Sequence, residues 1–286
     1  MEKKLPVELL CIIENWFRSS ITCVRWGSIT TLCFKLSAGV RQGGALSPCL
    51  FAIFIDSIIN KIICCGKGFH LAFWCVSIIL YVDDIRLLSP SVTSLQSMFN
   101  ICDEVLQSLN MYINPSKSVC MHIGPRCKQA CLRITTNEGM PIPWRDTCRY
   151  LVVYLTCAKK FQANFDHAKS NFYRAFNGIM AKAGRSLSHD IMVHLLRSKC
   201  LSILLYGTEA CNPVNKVVKW LKSLDYVITC AFLKIFCCNN LKVITDCKLA
   251  FGFDKMSDII TTRRVRFLSS LTKSTDLLKY LCNCLL

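Results

Sequence analysis

Acidic side chains, glycine, proline and long apolar runs are all scarce in this 286-residue chain. Each scarcity excludes something. With 12 Gly and 8 Pro, a collagen-like or Gly/Pro-rich filament is ruled out. The longest uncharged apolar run, Leu71 to Val82, has about a dozen residues before two aspartates end it, and a helical membrane span needs roughly 20. A second apolar stretch, Cys49 to Cys65, is interrupted by Asp56, Asn60 and Lys61, so no membrane partner is expected. The N-terminal MEKKLPVELL carries Pro6 and Glu8 where a secretory signal would be apolar. Acidic residues number 18 against 35 Lys and Arg, a net charge of +17. With 52% hydrophobic residues, the chain is not a disordered polycation, which would be poor in apolar side chains. It is long enough to bury a core, as one large domain or two ordinary ones.

Cysteine is abundant instead. The count is 21, odd, and includes adjacent pairs at Cys64-Cys65 and Cys237-Cys238. A secreted disulfide framework does not fit a chain of this size and parity, so a reducing, intracellular compartment is expected. Most of the thiols then serve as small core hydrophobes. Cys127-x3-Cys131 with His122 nearby, and Cys282-x-Cys284, are the close spacings that could suit zinc, but no second Cys/His pair stands at ligand spacing.

Charge is distributed unevenly. Residues 1–120 hold 10 basic and 8 acidic groups, net +2, and residues 121–286 hold 25 and 10, net +15. The second part is suited to a polyanion, or is simply a soluble basic face.

Several elements are legible. Ser47-Pro48 has the form of a helix start, a capping hydroxyl before a proline, and Leu50, Phe51, Phe54, Ile55, Ile58, Ile59, Ile62 and Ile63 follow at helical spacing. Ser91 to Asn110 is a second helix, with Val92, Leu95, Phe99, Cys102, Leu106 and Leu109 on one side. Between them, Phe73 to Leu88 is expected to form two strands with Asp83-Asp84 at the turn. Val119 to Ile123, Leu132 to Thr136 and Tyr150 to Leu155 are expected as short strands, and the pattern from Asn164 onward is helical.

Two features carry chemistry. Asp83 and Asp84 break the most apolar stretch, SIILYVDDIRLL, where adjacent carboxylates flanked by buried strands need compensation. A divalent cation such as Mg²⁺ supplies it through hard oxygen ligands; a solvated Asp-Asp turn is the alternative. The second feature is the loop Gly39-Val40-Arg41-Gln42-Gly43-Gly44-Ala45-Leu46-Ser47-Pro48, whose glycines permit close backbone approach and whose Arg41 and Gln42 can reach a phosphate or base edge.

Taken together, GVRQGGALSP and the YVDD box resemble the palm of reverse transcriptases, most nearly those of non-LTR (LINE-type) retrotransposons. Ile113-Asn114-Pro115-Ser116-Lys117-Ser118 is similar to the family's next motif. Trp144 with Arg149-Tyr150-Leu151 is similar to its primer-grip hairpin. The likeness runs along essentially the whole chain. It implies an α+β fold: an incomplete right-hand polymerase palm over residues 1–158, then a helical thumb and C-terminal extension over 159–286. It implies that Asp83 and Asp84 hold Mg²⁺ or Mn²⁺, two ions in an intact site, and that Lys117 lies near the triphosphate. It also implies that Arg41, Gln42, Gly43, Tyr81, Val82, Trp144, Tyr150 and Leu151 meet nucleic acid or nucleotide. The implied partners are an RNA template, a DNA primer or target, and dNTP, in the cytoplasm and nucleus.

The departures shape what is expected. The family's first catalytic aspartate belongs to a motif that would precede Leu5, and the fingers are missing with it, so the chain alone is expected to be inactive or very weak unless that palm and fingers segment is supplied. Arg86 stands where an aliphatic residue is usual and shares a strand face with Asp84; Val152 stands where Gly is usual. The alternatives to a polymerase domain are a non-catalytic RNA/DNA-binding remnant and the product of a degenerate reading frame.

Overall fold

A computed structural model describes residues 6–37, 39, 43–183, 187–211, 217–273 and 278, with Val217 and Val218 as backbone only. The chain mixes helices and strands, as expected. Helix α1, Val7–Arg18, buries none of its residues. Two short antiparallel ladders follow, Ile21–Thr22 with Phe34–Lys35 and Arg25–Trp26 with Ile29–Thr30.

Helix α2, Ser47–Cys64, begins one residue earlier than the sequence suggests. Leu46 holds the N-cap position without a side-chain cap bond, so Ser47 is not the cap and Pro48 is the second helical residue, where its missing N–H still costs nothing. Among the described residues α2 is the one helix long and apolar enough to cross a membrane by length and composition, Asp56 and Lys61 notwithstanding. Its Ile55, Ile58 and Ile62 stripe is buried.

That stripe packs on helix α3, Val92–Ser108, through Met98, Cys102, Val105 and Leu106. Ser91 caps α3, its hydroxyl accepting from the Ser94 N–H at 3.1 Å. The same cluster takes in Ile78, Leu80, Ile85 and Leu87 from the hairpin Ile78–Tyr81/Asp84–Leu87. A two-stranded hairpin is marginal by itself. Here its apolar face is docked on two helices, which fixes the register Ile78↔Leu87, Ile79↔Arg86, Leu80↔Ile85 and Tyr81↔Asp84.

A smaller core forms on the other side of α3 from Cys120, Ile134 and Ile142 with Val92, Leu95, Phe99 and Trp144. Gln96 joins it to the ladder Ile134–Thr135/Pro141–Ile142: its amide donates to Thr135 O at 2.8 Å and accepts from Thr135 N at 2.9 Å. Buried Asp103 accepts from Asn137 N at 2.9 Å. The strand expected over Val119 to Ile123 reduces to a single parallel bridge, Cys120 with Trp144, because Lys117 and Ser118 are still held in a turn just before it. The strand expected over Tyr150 to Leu155 is a hairpin instead, Thr147–Tyr150 against Val153–Thr156, and Gln162–Asn164 adds a third strand. This sheet spans the position 158/159, where the sequence suggests a boundary.

The C-terminal part is helical: α4 Asp166–Ala183, α5 His189–Leu195, a π turn Leu196–Cys200, α6 Leu201–Leu205, α7 Val217–Ile235, α8 Leu241–Ala250 and α9 Met256–Leu271. Its own core is built on Phe172, Phe176, Leu224, Ile228, Phe232 and Ile244. Cys102, Cys120, Cys200 and Cys211 are buried, but Cys11, Cys23, Cys33, Cys49, Cys64 and Cys237 are exposed and the other described cysteines are half-buried, so the expectation that most thiols serve as core hydrophobes is not met. Burial, then the neighbouring Asp103, pushes the Cys102 thiol up to about 12, so it stays protonated.

The turn of the second hairpin is strained. Leu151 and Val152 both have positive φ, +44° and +71°. Paired positive φ at the two central positions suits Asn-Gly, not two branched side chains. Val152→Gly is therefore expected to stabilise the fold by about 1 kcal/mol, raising the midpoint of thermal unfolding, since left-handed backbone costs an L-residue roughly 1–2 kcal/mol. An unchanged or lowered midpoint in calorimetry would contradict the assignment of strain.

Candidate nucleotidyl-transfer site

The alternation that buries Ile78, Leu80, Ile85 and Leu87 puts Ile79, Tyr81, Asp84 and Arg86 on the opposite face of the acidic hairpin. Asp84 is the first residue of the outgoing strand, while Val82 and Asp83 make the two-residue turn. Val82 takes φ +52°, an uncommon backbone for a β-branched residue. Asp83 and Val82 are exposed and Asp84 is half-buried. The carboxylate compensation foreseen from the sequence is thus met partly by solvent.

Arg86 is the other neighbour. Its Nη2 lies 3.9 Å from Asp84 Oδ1. Its guanidinium also stands over the Tyr150 ring, 4.6 Å from the centroid. Burial pushes the Cys148 thiol up, and the nearby Arg86 charge pulls it the other way. The face shared by Asp84 and Arg86 was legible from strand alternation. The contact between Arg86 and Tyr150 was not, because it depends on how two separate hairpins meet.

Beneath the acidic turn is a cavity of about 470 Å³. Asp83, Asp84, Arg86, Asn114 and Lys117 line its polar side, and residues such as Phe51, Val82, Ile85, Phe99 and Ile113 line its apolar side. Asn114 organises the loop that carries Lys117. Its side-chain oxygen accepts from Ser116 N at 3.0 Å and Lys117 N at 3.3 Å, and its carbonyl accepts from Ser118 N at 3.0 Å. Asn114 is a positioning residue that sits in the quoted motif, where its value as an Asx turn gave the available signal.

The structure therefore brings Val82, Asp83, Asp84 and Lys117 to one cavity and links Tyr150 to it through Arg86. Tyr81 is exposed on the hairpin's outer face. Trp144 is committed to the small core, its Nε1 donating to Leu132 O at 2.9 Å. Gly43 lies in the loop before α2 with φ +82°; neither it, Trp144 nor Leu151 lines the cavity. Arg41 and Gln42 lie outside the described residues.

Among the described residues no three His, Cys, Asp or Glu side chains close around one point. Two adjacent carboxylates suit one hard cation completed by waters and phosphate oxygens. They do not by themselves suit a two-ion clamp. Cys131 Sγ is 3.6 Å from His122 Nδ1, and Cys157 donates to the carbonyls of His122 and Cys127 at 3.0 and 3.3 Å.

Removing the Asn114 side chain should loosen the Lys117 loop. Asn114→Ala is expected to cost about 1 kcal/mol in unfolding free energy and to speed hydrogen exchange at the Ser116 and Lys117 amides. Unchanged exchange there would remove Asn114 from this role.

Residues 4–155 match the reverse transcriptase (RNA-dependent DNA polymerase) family. Two relatives share the name retrovirus-related Pol polyprotein from type-1 retrotransposable element R2. The one from Nasonia vitripennis is 26% identical over 140 residues, which is 49% of this chain and 14% of the relative. The one from Bradysia coprophila is 27% identical over 164 residues, 54% of this chain and 19% of the relative. The matched stretch thus covers less than a fifth of the length of either protein. Enzymes of this family work with an RNA template, a primer and deoxynucleoside triphosphates, and use divalent metal ions. The chain belongs to the reverse transcriptase family, of the kind carried by non-LTR retrotransposons.

Proposed function

We propose that residues 1–158 form the cation-holding part of a polymerase palm and residues 159–286 a helical thumb and extension that follow an RNA–DNA hybrid. The observation that carries this reading is the shared cavity of Asp83, Asp84 and Lys117, reached from two separate sequence motifs. Asp83, exposed at the tip, is the principal ligand of one divalent ion, with Asp84 beside it. Such an ion supplies charge stabilisation to phosphoryl oxygens. The second ion of an intact site needs further oxygen ligands. Lys117, exposed at the cavity rim on a fixed loop, offers an ammonium to the leaving phosphate oxygens. Tyr81 and Val82 face the primer end, and Tyr150 and Leu151 belong to the grip with Trp144 as its internal brace. Arg41, Gln42 and Gly43 meet the template and the nascent pair. Such a protein works where RNA and chromosomal DNA are accessible, in the cytoplasm and nucleus.

The C-terminal role rests on charge. On α7, Lys219, Lys222 and Tyr226 are exposed at helical spacing, a basic stripe with an aromatic beside it; Lys216 lies outside the described residues. Phosphate contacts of this kind release counterions, so affinity falls with salt.

A second reading, a nucleic-acid binder without catalysis, is favoured by the two-carboxylate donor set and by the pairing of Asp84 with Arg86.

The purified chain is expected to bind an RNA–DNA hybrid with steep salt dependence. K219E/K222E should weaken binding roughly tenfold and flatten the log–log salt slope by about two. Asp83→Ala should leave binding unchanged. Primer extension on an RNA template with Mg²⁺ is expected to be absent. Extension abolished by Asp83→Ala would show that the ligand set is already sufficient. Salt-insensitive binding would overturn the thumb assignment.

A further inference from the structure

Three observations meet at Arg86. It is paired in register with Ile79, on the outer face that also carries Asp84. Its guanidinium lies between the Asp84 carboxylate, at 3.9 Å, and the face of Tyr150, at 4.6 Å. Its Nε is buried and has no hydrogen-bond partner among the described residues. The side chain as a whole is 32% exposed and that of Asp84 45%. At 3.9 Å the contact with Asp84 is a charge pair, not a hydrogen bond. The guanidinium is therefore held by charge and by stacking, while one of its donors goes unused.

We propose that Arg86 is a built-in counter-ion of Asp84, which occupies the carboxylate a divalent cation would use and fastens the acidic hairpin to the Thr147–Thr156 hairpin through Tyr150. This rests on the reading of Asp83 and Asp84 as a cation site. The guanidinium is a fixed positive charge on the hairpin itself, so it competes with any cation for the Asp84 carboxylate. A cation approaching Asp84 must displace the pair and also meets the repulsion of a fixed positive charge a few ångströms away. Asp83, exposed at the turn, is left as the first point of capture. Arg86 is thus a positioning residue that sets how tightly the hairpin takes a metal.

The test has two arms on the full chain. In the first, Mn²⁺ binding is followed by electron paramagnetic resonance at low salt. R86L is expected to bind Mn²⁺ roughly threefold to tenfold more tightly than the parent, a gain that disappears in D84N/R86L; R86K, which keeps the charge, should stay within about twofold of the parent. Equal or weaker binding by a cooperatively folded R86L overturns the proposal. In the second arm, metal-free thermal unfolding is measured for R86L, D84N and Y150L and for the double variants. Non-additive effects between Arg86 and each of the other two are expected, and additivity within error overturns the proposal. If no variant binds Mn²⁺, the cation-site reading falls, and the metal-free arm alone decides the pairing. Should R86L fail to fold, R86K replaces it there and is expected to keep coupling to Asp84 while losing it to Tyr150.

Discussion

Burial of the Ile55, Ile58 and Ile62 stripe of α2 is the contact on which the rest of the site depends. Each isoleucine removed from water contributes roughly 2–3 kcal/mol. The stripe meets Met98, Cys102, Val105 and Leu106 of α3 and the inward residues Ile78, Leu80, Ile85 and Leu87 of the acidic hairpin. Strand alternation does the remainder. Once those four face inward, Asp84 and Arg86 must face outward and Val82-Asp83 must form the tip. A slip of one residue would bury both charges, which the core could not compensate. The position of the acidic pair is thus set by hydrophobic register and not by any ligand.

Backbone strain is present at the tips of both the acidic hairpin and the Thr147–Thr156 hairpin. Val82 in one and Leu151 and Val152 in the other occupy positive φ. Left-handed backbone at β-branched residues persists only where the flanking structure over-determines it. In the acidic hairpin that structure is the helix-backed register. In the second it is the pairing Tyr150↔Val153 and the neighbouring third strand. Arg86 of the first hairpin stands over the Tyr150 ring of the second, so the two meet through a guanidinium and not through a continuous sheet.

Much of this was legible in the sequence. The helices α2 and α3, the Asp83-Asp84 hairpin and the helical C-terminal part follow from periodicities of 3.6 and 2, which report burial on one face. Less was legible where geometry depends on non-local pairing. Tyr150 to Leu155 has the β-branched and aromatic content of a single strand, and its turn at Leu151-Val152 carries no Gly, Asn or Asp to announce it. Ser47 resembles a cap, yet the helix takes it in as its first residue. Of the candidate site, Asp83 and Asp84 were readable as adjacent carboxylates in an apolar stretch, and Lys117 only through the family resemblance. Their meeting at one cavity, Asn114's turn and the place of Arg86 over Tyr150 required the fold.

On the proposed function, the acidic hairpin takes a divalent cation beside the end of a bound primer. Replacing Mg²⁺ with Fe²⁺ on the chain bound to an RNA–DNA hybrid, and mapping the hydroxyl-radical cuts, tests it most directly. Cleavage of the protein is expected around Val82 to Asp84 and Asn114 to Lys117, and of the primer within its last few nucleotides. Cuts confined to other segments, or primer cleavage spread evenly along the hybrid, would contradict it.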